Sequence, residues 1–287
     1  MTRVFTAPAK INLHLHVLGK TENNYHLLDS LVAFTAFGDN ITIEPSEKFS
    51  LHITGPFARE LAGELPEDNL ITKSIAALSE KTGKNFPFRI TLEKNIPVGG
   101  GLGGGSSDCA TLLKEMAEIY GIQADLSGIT SALGSDITAC LHAPHPVIMR
   151  GTGNDITKDT PYLPPCPLLL VNPRKHCATP TVYKNLSMEN FSAPVSWLDK
   201  FDTPKDLADF LNARTTNDLT APAIKTEPVI AEVLEEIGKQ PDCLLSRLSG
   251  SGATCFGIFP TTQAASTAAA QIKTTHPHWW VVETNTL

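Results

Sequence analysis

Alternating hydrophobic and polar positions over residues 88–93 predict a half-buried strand. Phe88, Ile90 and Leu92 are apolar, and the residues between them are polar. Further along the chain, apolar residues recur at helical spacing until Gly121 provides a C-terminal stop. The residues on this predicted helical face are Cys109, Leu112, Leu113, Met116 and Ile119. The pattern therefore predicts a strand and a helix, with the segment that begins at Pro97 between them.

That intervening segment is rich in glycine and reads Pro97-Val-Gly-Gly-Gly-Leu-Gly-Gly-Gly-Ser-Ser-Asp108. Glycine reaches backbone angles closed to other residues, so successive N–H groups can surround an anion at the N-terminus of a helix. Ser106 or Ser107 is expected to cap that helix. A strand, a glycine-rich turn and a helix in series predict a nucleotide phosphate site, because a flexible linker is rarely bracketed in this way.

Two common phosphate-binding motifs fit this segment less well. Gly99, Gly101 and Gly104 satisfy the dinucleotide spacing, but Glu118, at the distance where the acidic partner is expected, falls inside the predicted helix. A P-loop needs a lysine after its last glycine, and here Ser106 follows. Both alternatives are disfavoured.

The prolines and apolar runs in the rest of the chain predict its domain organisation. The proline cluster over 161–167 precedes an apolar run at 168–171, which is typical of a buried strand. We place a domain boundary there, giving residues 1–160 and 161–287. Further predicted elements are helices over 206–212 and 229–237 and a strand over 254–259.

Composition narrows the class of protein. The 287 residues are 41% hydrophobic, and a net charge of −7 argues against a nucleic-acid surface. The N-terminus lacks an apolar signal core and the sequence lacks a membrane-spanning apolar stretch, so we expect a cytoplasmic protein with no membrane partner. The six cysteines show no CxxC pair, which favours reduced thiols. His14 and His16 are expected to pack on one face rather than bind metal.

Three motifs, in order, resemble those of the GHMP kinase family. They are residues 8–13 (Pro-Ala-Lys-Ile-Asn-Leu), the glycine loop over 97–107, and residues 248–254 (Leu-Ser-Gly-Ser-Gly-Ala-Thr). The resemblance implies a two-domain α/β (α+β) GHMP kinase fold. Its N-terminal ATP-binding domain would be ribosomal protein S5 domain 2-like, its C-terminal domain α/β, and its active site would lie in the cleft between them.

The segment Asn24-Tyr-His-x-Leu28 and the triple glycine before Ser106 are similar to those of members that act on a cytidylated alcohol. This implies ATP-dependent phosphorylation, with Mg²⁺, of the 2-hydroxyl of a small molecule, cytidine diphosphate-linked methylerythritol, in the non-mevalonate isoprenoid route. Asn24 replaces the usual glycine, and asparagine also tolerates left-handed turns. A monomer or weak homodimer is expected.

The resemblance also implies roles for individual residues. Asp136, in Gly134-Ser-Asp136, is the expected base for the acceptor hydroxyl, and Lys10 would orient it. Spacing alone favours an ordinary ion pair, and the motif match favours the catalytic role. Thr138 stands where relatives often carry proline. The predicted nucleotide-binding residues are Pro97, Val98, Gly99, Gly100, Gly101, Leu102, Gly103, Gly104, Gly105, Ser106, Ser107, Asn69 and Lys94. The predicted acceptor-binding residues are Asn12, Tyr25, His26, Thr179, Pro180 and Tyr183.

No dedicated metal ligands are visible in the sequence, and Mg²⁺ commonly binds through substrate phosphates. Residues 250–252 are expected to form a tight turn that supports the glycine loop. Two alternative functions stay open. One is another GHMP small-molecule kinase, acting on mevalonate, homoserine or a sugar. The other is a non-catalytic nucleotide-binding protein of the same fold.

Overall fold

The computed structural model describes residues 2–63, 65–123, 125–187 and 191–287. Strands and helices are mixed along the whole chain. The strands are β1 (Arg3–Asn12), β2 (His16–Lys20), β3 (His26–Pro45), β4 (Ser50–Thr54), β5 (Phe88–Glu93), β6 (Val147–Gly151), β7 (Asp155–Thr157), β8 (Pro167–Asn172), β9 (Leu245–Leu248), β10 (Cys255–Ile258) and β11 (Trp280–Asn285). The helices are α1 (Leu70–Thr82), α2 (Gly104–Ile119), α3 (Ser127–Leu133), α4 (Ser135–Cys140), α5 (Thr179–Asn185), α6 (Pro204–Arg214), α7 (Thr220–Thr226), α8 (Val229–Gly238) and α9 (Thr262–Thr275), with a short 3-10 helix at Ala58–Leu61.

The chain forms two compact units, each built from segments that are distant in sequence. Unit 1 contains Met1–Lys10, Phe37–Val98 and Gly103–Ala143, and unit 2 contains Ile11–Ala36, Gly99–Leu102 and Pro144–Leu287. The glycine loop is therefore divided: its first part, residues 99–102, lies in unit 2, and its second part, residues 103–107, lies in unit 1 together with Pro97 and Val98. The boundary between residues 160 and 161 concerns contiguous domains and stays a prediction.

Unit 1 combines a sheet with helices α1, α2, α3 and α4. The second part of β3 pairs with β5 in antiparallel register from Asn40 opposite Glu93 to Pro45 opposite Phe88, and β4 runs parallel to β5. The predicted alternation in β5 is confirmed, since Ile90 is buried and Glu93 is exposed. Helix α2 packs against α1 and α4 through the apolar face that the sequence predicted.

The prediction that Ser106 or Ser107 caps α2 is wrong. The helix begins at Gly104, and its N-cap is Gly103, which has a φ of +62° and forms no side-chain cap. The backbone carbonyl of Gly103 accepts the first helical hydrogen bond, from Ser107 N–H at 2.8 Å. The predicted stop is confirmed, because Gly121 has a φ of +59° just after the last turn.

Unit 2 contains two antiparallel ladders. In the first, the early part of β3 pairs with β2 and with β6, and β7 continues beyond β6. The second is a four-stranded sheet in the order β11-β8-β10-β9. All residues of β8 are buried, as the apolar run at 168–171 predicts, because β8 is a central strand of its sheet and α9 packs against it. The predicted helices at 206–212 and 229–237 and the strand at 254–259 are also confirmed, as α6, α8 and β10.

The core of unit 2 joins the early and late parts of the sequence. Leu15 and Val17 belong to the same hydrophobic cluster as residues of α8, α9 and β11, among them Ile272 and Val281. His14 and His16 are buried, with ring centroids 5.0 Å apart. All six cysteines are free. Among the described residues, no helix combines the length and apolar character needed to cross a membrane.

Candidate active site

Lys10 and Asp136 form an ion pair within unit 1. Lys10 Nζ lies 3.2 Å from Asp136 Oδ2. Lys10 lies on β1 with its side chain buried, whereas Asp136 lies in the first turn of α4 and 42% of its side chain is exposed. A carboxylate held by a buried ammonium group and open to solvent can accept a proton from a bound hydroxyl as that hydroxyl bonds to phosphorus. The structure therefore brings together the two residues predicted to be catalytic.

The second part of the glycine loop lies against this pair. A Cβ at Gly103 would stand 2.6 Å from Lys10 Cγ, so the close packing requires glycine. The first N–H groups of a helix have no acceptor within the helix, and they favour phosphate at its N-terminus. Gly104, Gly105 and Ser106, which open α2, are half-buried or exposed. This end of α2 can therefore offer N–H groups to an anion.

Lys94 lies at the centre of a buried charge cluster just after β5. Its Nζ contacts Asp39 Oδ2 and lies 2.7 Å from Asp108 Oδ2. Asp39 Oδ1 accepts hydrogen bonds from the backbone N–H groups of the two residues after Lys94, at 2.5 and 2.8 Å. Burial raises the pKa of Asp108, and the nearby Asp39 raises it further against the attraction of Lys94. A Cβ at Gly104 would stand 3.2 Å from Lys94 Nζ, so the cluster lies directly beside the start of α2.

Asn69, another of the predicted nucleotide-binding residues, is the N-cap of α1. Its Oδ1 accepts a hydrogen bond from Ile71 N–H at 3.0 Å, and its side chain is buried. This is the usual task of asparagine at a helix start. The structure accounts for Asn69 and Lys94 by these local contacts, and their contact with a nucleotide stays a prediction.

The first part of the glycine loop, in unit 2, is held by the third motif. Ser249 Oγ donates to the carbonyl of Gly101 at 2.9 Å, and Thr254 N–H donates to the carbonyl of Gly100 at 3.0 Å. A Cβ at Gly101 would stand 2.3 Å from the carbonyl oxygen of Ser249. Leu102 is fully buried. The prediction that the 250–252 turn region supports the glycine loop is confirmed.

Asn12 lies next to the same turn. Its Nδ2 donates to Ser30 Oγ at 2.9 Å, and its backbone N–H donates to Ser249 Oγ at 3.3 Å. A Cβ at Gly250 would stand 3.4 Å from Asn12 Oδ1. Asn12 is therefore oriented by residues of β3 and of the third motif, all within unit 2.

His26 and Tyr183 pack together in unit 2. Their ring centroids are 4.7 Å apart with an interplanar angle of 31°. Burial, followed by the charge of Lys20, lowers the pKa of His26. His26 Nε2 is buried and has no hydrogen-bond partner among the residues that the structure describes. An imidazole ring can donate or accept a hydrogen bond through its nitrogens, which suits hydrogen bonding to a polar ring edge.

Tyr25 lies in the turn between β2 and β3 and is 67% exposed. The preceding Asn24 has a φ of +63°, as the substitution of asparagine for glycine predicts. Thr179 and Pro180 open α5, and Thr179 Oγ1 lies 2.7 Å from Ser251 Oγ. The predicted acceptor residues Thr179 and Pro180 thus stand beside the third motif, and Tyr25 presents a free aromatic face.

Sequence reasoning missed several polar residues around the glycine loop. Asp39 and Asp108 were given no role, although Asp108 closes the glycine-rich segment. Asn172 and Asn217 were also missed, and Asn217 Nδ2 donates to the carbonyls of Leu248 and Gly250 at 2.8 and 2.9 Å. Their partners are distant in sequence, so only a pairing of motifs across the chain could have revealed them.

Metal ligands do not cluster in this site. Within residues 2–63, 65–123, 125–187 and 191–287, no group of three or more His, Cys, Asp or Glu side chains could hold a metal ion.

Comparison with protein families matches two parts of the chain. Residues 69–143 match the GHMP kinases N terminal domain, and residues 199–278 match the GHMP kinases C terminal model. These ranges lie on either side of the predicted boundary between residues 160 and 161.

Individual relatives match over nearly the full length. A 4-diphosphocytidyl-2-C-methyl-D-erythritol kinase of Paramagnetospirillum magneticum is 43% identical, over 96% of this chain and 95% of that protein. An enzyme of the same name from Dinoroseobacter shibae is 44% identical, over 97% of this chain and 93% of that protein. A crystal structure of 4-(cytidine 5'-diphospho)-2C-methyl-D-erythritol kinase superimposes with a TM-score of 0.81 at 29% identity, covering 100% of this chain and 99% of the other.

Identity at this level over the whole length, together with both domain matches and the paired Lys10 and Asp136, establishes the relationship. The chain belongs to the GHMP kinase family, among its 4-diphosphocytidyl-2-C-methyl-D-erythritol kinases.

Proposed function

We propose that the chain transfers the γ-phosphoryl group of ATP to the 2-hydroxyl of 4-diphosphocytidyl-2-C-methyl-D-erythritol, giving the 2-phosphate and ADP in the non-mevalonate isoprenoid route. Membership of the family makes the chain an ATP-dependent kinase. The observation that carries the residue assignment is the ion pair of Lys10 with the partly exposed Asp136, beside Gly103 of the glycine loop.

In the proposed reaction, the 2-hydroxyl oxygen bonds to the γ-phosphorus as the bond to the β,γ-bridging oxygen breaks and ADP leaves. Asp136 accepts the hydroxyl proton late, once bonding to phosphorus has acidified it. Lys10 holds the carboxylate in place and balances its charge. Because phosphoryl transfer depends mainly on positioning and charge neutralisation, these two residues need only align the hydroxyl and remove its proton.

The nucleotide phosphates would be bound by the backbone N–H groups of Gly99 to Gly105. Ser107 Oγ is buried and has no hydrogen-bond partner in the described part of the chain, so its hydroxyl fits a phosphate oxygen or Mg²⁺. When bound, Mg²⁺ neutralises charge on the phosphates and binds chiefly through them and water, which does not require a carboxylate cage. We include Mg²⁺ in the proposal, with Ser106 and Ser107 as its candidate protein ligands.

The acceptor would be recognised through its cytidine. Tyr25 and Tyr183 offer aromatic faces, and the His26 ring would form hydrogen bonds to the cytosine edge. Asn12, Thr179 and Pro180, which lie around the third motif, would contact the rest of the molecule.

We also propose that the protein acts in the cytoplasm as a monomer or weak homodimer, without nucleic acid or membrane. Six unpaired cysteines support a reducing compartment, and a net charge of −7 argues against a nucleic-acid partner. Light scattering over a range of protein concentrations tests the oligomeric state.

The function is tested by ADP release from purified protein with Mg-ATP and 4-diphosphocytidyl-2-C-methyl-D-erythritol. Mevalonate, homoserine and galactose serve as comparison acceptors. We expect release with the cytidylated substrate alone. Release with another acceptor would overturn the acceptor assignment, and folded protein that is silent with all four would favour a non-catalytic nucleotide-binding protein.

A further inference from the structure

The loop after β8 carries consecutive basic residues, Arg174, Lys175 and His176, and all of them are exposed. The chain as a whole carries a net charge of −7, so this positive segment is set against an acidic background. Exposed basic residues are usually no more than solvated charge. Arg174, Lys175 and His176 differ from ordinary exposed basic residues because they lie next to the glycine loop.

The imidazole of His176 lies over the first glycine of the loop. A Cβ at Gly99 would stand 3.0 Å from both Cε1 and Nδ1 of His176, so the ring packs against the space that a larger residue would fill. Gly99 has a φ of +62°. His176 therefore lies directly beside the first glycine of the predicted phosphate site.

A continuous set of hydrogen bonds fixes the basic segment to the same loop. Arg174 N–H donates to Asn172 Oδ1 at 2.7 Å, and Asn172 Nδ2 donates to Thr254 Oγ1 at 2.8 Å. Thr254 N–H in turn donates to the carbonyl of Gly100 at 3.0 Å. Asn172 and Thr254 are buried, and Arg174 has a φ of +56°. These hydrogen bonds therefore fix the position of the basic segment's backbone relative to the first part of the glycine loop, inside unit 2.

We propose that residues 174–176 form a phosphate-binding segment that extends the glycine loop with side-chain donors. Its ligand is a chain of adjacent phosphates, which both substrates of the proposed reaction carry, as the triphosphate of ATP or the diphosphate of the acceptor. The glycines of the loop supply only backbone N–H groups, whereas Arg174 and Lys175 supply full positive charge and His176 supplies a ring N–H. The inference rests on the proposed function for the identity of these ligands.

The test first compares the parent enzyme with three variants that each remove a side-chain function. Arg174→Asn/Lys175→Gln removes both charges, and asparagine tolerates the left-handed backbone of position 174. His176→Ala removes the imidazole, and Lys273→Ala, at the exposed end of α9, removes a positive charge elsewhere in unit 2. Titration calorimetry measures the Kd of ADP and of the acceptor at low and high NaCl, and steady-state assays measure the KM of each substrate.

Each exposed charge should contribute about threefold to binding, so the double variant should weaken its phosphate ligand about tenfold at low salt. The difference should shrink at high salt because exposed charges are screened. If only the Kd of ADP and the KM of ATP rise, the segment binds the triphosphate of ATP. If only the Kd and KM of the acceptor rise, the segment binds the diphosphate of the acceptor. Values equal to those of Lys273→Ala for both substrates would overturn the proposal.

A charge-retaining exchange, Arg174→Lys/Lys175→Arg, separates charge from local structure. It should bind as the parent does, and a loss equal to that of the neutral variant would also overturn the proposal. Failure of the proposed function is seen separately, because parent enzyme that releases no ADP with any acceptor can still be titrated with ADP.

Discussion

Lys10 and Asp136 form an ion pair but differ in exposure, and this difference indicates that the two residues have different roles. Lys10 is buried beside Gly103, whereas Asp136 is open enough to meet a substrate. Asp136→Asn keeps the shape and removes the proton acceptor. We expect kcat to fall about 10²- to 10⁴-fold. The Kd for ATP, measured by calorimetry, should stay near that of the parent.

The matched control for this variant is Asp202→Asn, which changes an exposed ion pair with Lys200 on the surface of unit 2. It should leave kcat unchanged. If Asp136→Asn instead weakened ATP binding and lowered the unfolding temperature together, Asp136 would be a structural residue.

Tyr25 is exposed because it lies in a turn, and an exposed ring is available for stacking on a base. Removing it with Tyr25→Ala should cost roughly 1–3 kcal/mol of acceptor binding, the usual range for base stacking. The KM for the cytidylated substrate should rise accordingly, with the KM for ATP unchanged. Tyr162→Ala, at a similar exposure of 65%, is the control and should change neither constant. Equal effects of Tyr25→Ala on both substrates would contradict stacking.

At the scale of elements, the glycine loop depends on close backbone approach. Gly101 has a φ of +83°, and a Cβ there would stand 2.3 Å from a backbone oxygen of the third motif. Gly101→Ala should therefore lower stability by more than the 1–3 kcal/mol of backbone strain alone and should abolish ADP binding. Urea denaturation and calorimetry provide the measurements.

A matched variant at Gly121 separates the effect of backbone strain from the effect of the close contact at Gly101. Gly121 has a φ of +59° and open space where a Cβ would be. Gly121→Ala should therefore lower the free energy of unfolding by only about 1 kcal/mol and should leave nucleotide binding unchanged. Similar losses of stability and binding in both variants would show that the contact with the third motif is unimportant.

Strand β3 carries a fully buried carboxylate, Asp29, that ties it to two other segments. Its Oδ1 accepts from Arg150 Nε at 3.2 Å and its Oδ2 accepts from Val195 N–H at 2.8 Å, with His14 Nε2 3.7 Å away. Burial alone would raise the pKa of Asp29, but His14, Val195 and Arg150 together lower it to about 2.

Because this pKa is depressed on folding, Asp29 contributes stability above its unfolded pKa of 3.8, and that stability is lost as pH falls through about 2. The loss should be about 2 kcal/mol, measured by urea denaturation between pH 5 and pH 2. Asp29→Asn should remove this part of the pH dependence, and Asp202→Asn should retain it. An unchanged acid profile in Asp29→Asn would contradict the assignment.

The sequence predicted the individual helices and strands better than the long-range contacts between residues. Strand β5 and the apolar face of α2 were visible because local alternation and helical spacing reflect burial directly. The start of α2 was missed because its N-cap is Gly103, a left-handed glycine packed against Lys10, and not a residue with a capping side chain. The buried cluster of Lys94 was missed because its partner Asp39 is separated from it by 55 positions. Motifs therefore indicated the site residues, and only the fold supplied their partners.

At the scale of the whole molecule, the two units interleave along the chain. A fragment of residues 161–287 contains the four-stranded sheet but lacks Leu15 and Val17 of the same core. We expect this fragment to unfold without a cooperative transition when followed by circular dichroism, whereas the full chain unfolds cooperatively. Addition of a fragment of residues 1–160 should restore the transition. Cooperative melting of the shorter fragment alone would support the predicted boundary between residues 160 and 161.

The shared core of Leu15, Val17 and Val281 also has a consequence during biosynthesis. The early strands emerge from the ribosome well before their partners in β11 exist, and at ordinary rates of translation the delay is about ten seconds or more. Throughout that interval, apolar residues of the nascent chain are uncovered and prone to aggregate. Yield in a recombinant host should therefore depend on chaperone supply and slow growth more strongly than for a kinase whose domains follow one another in sequence.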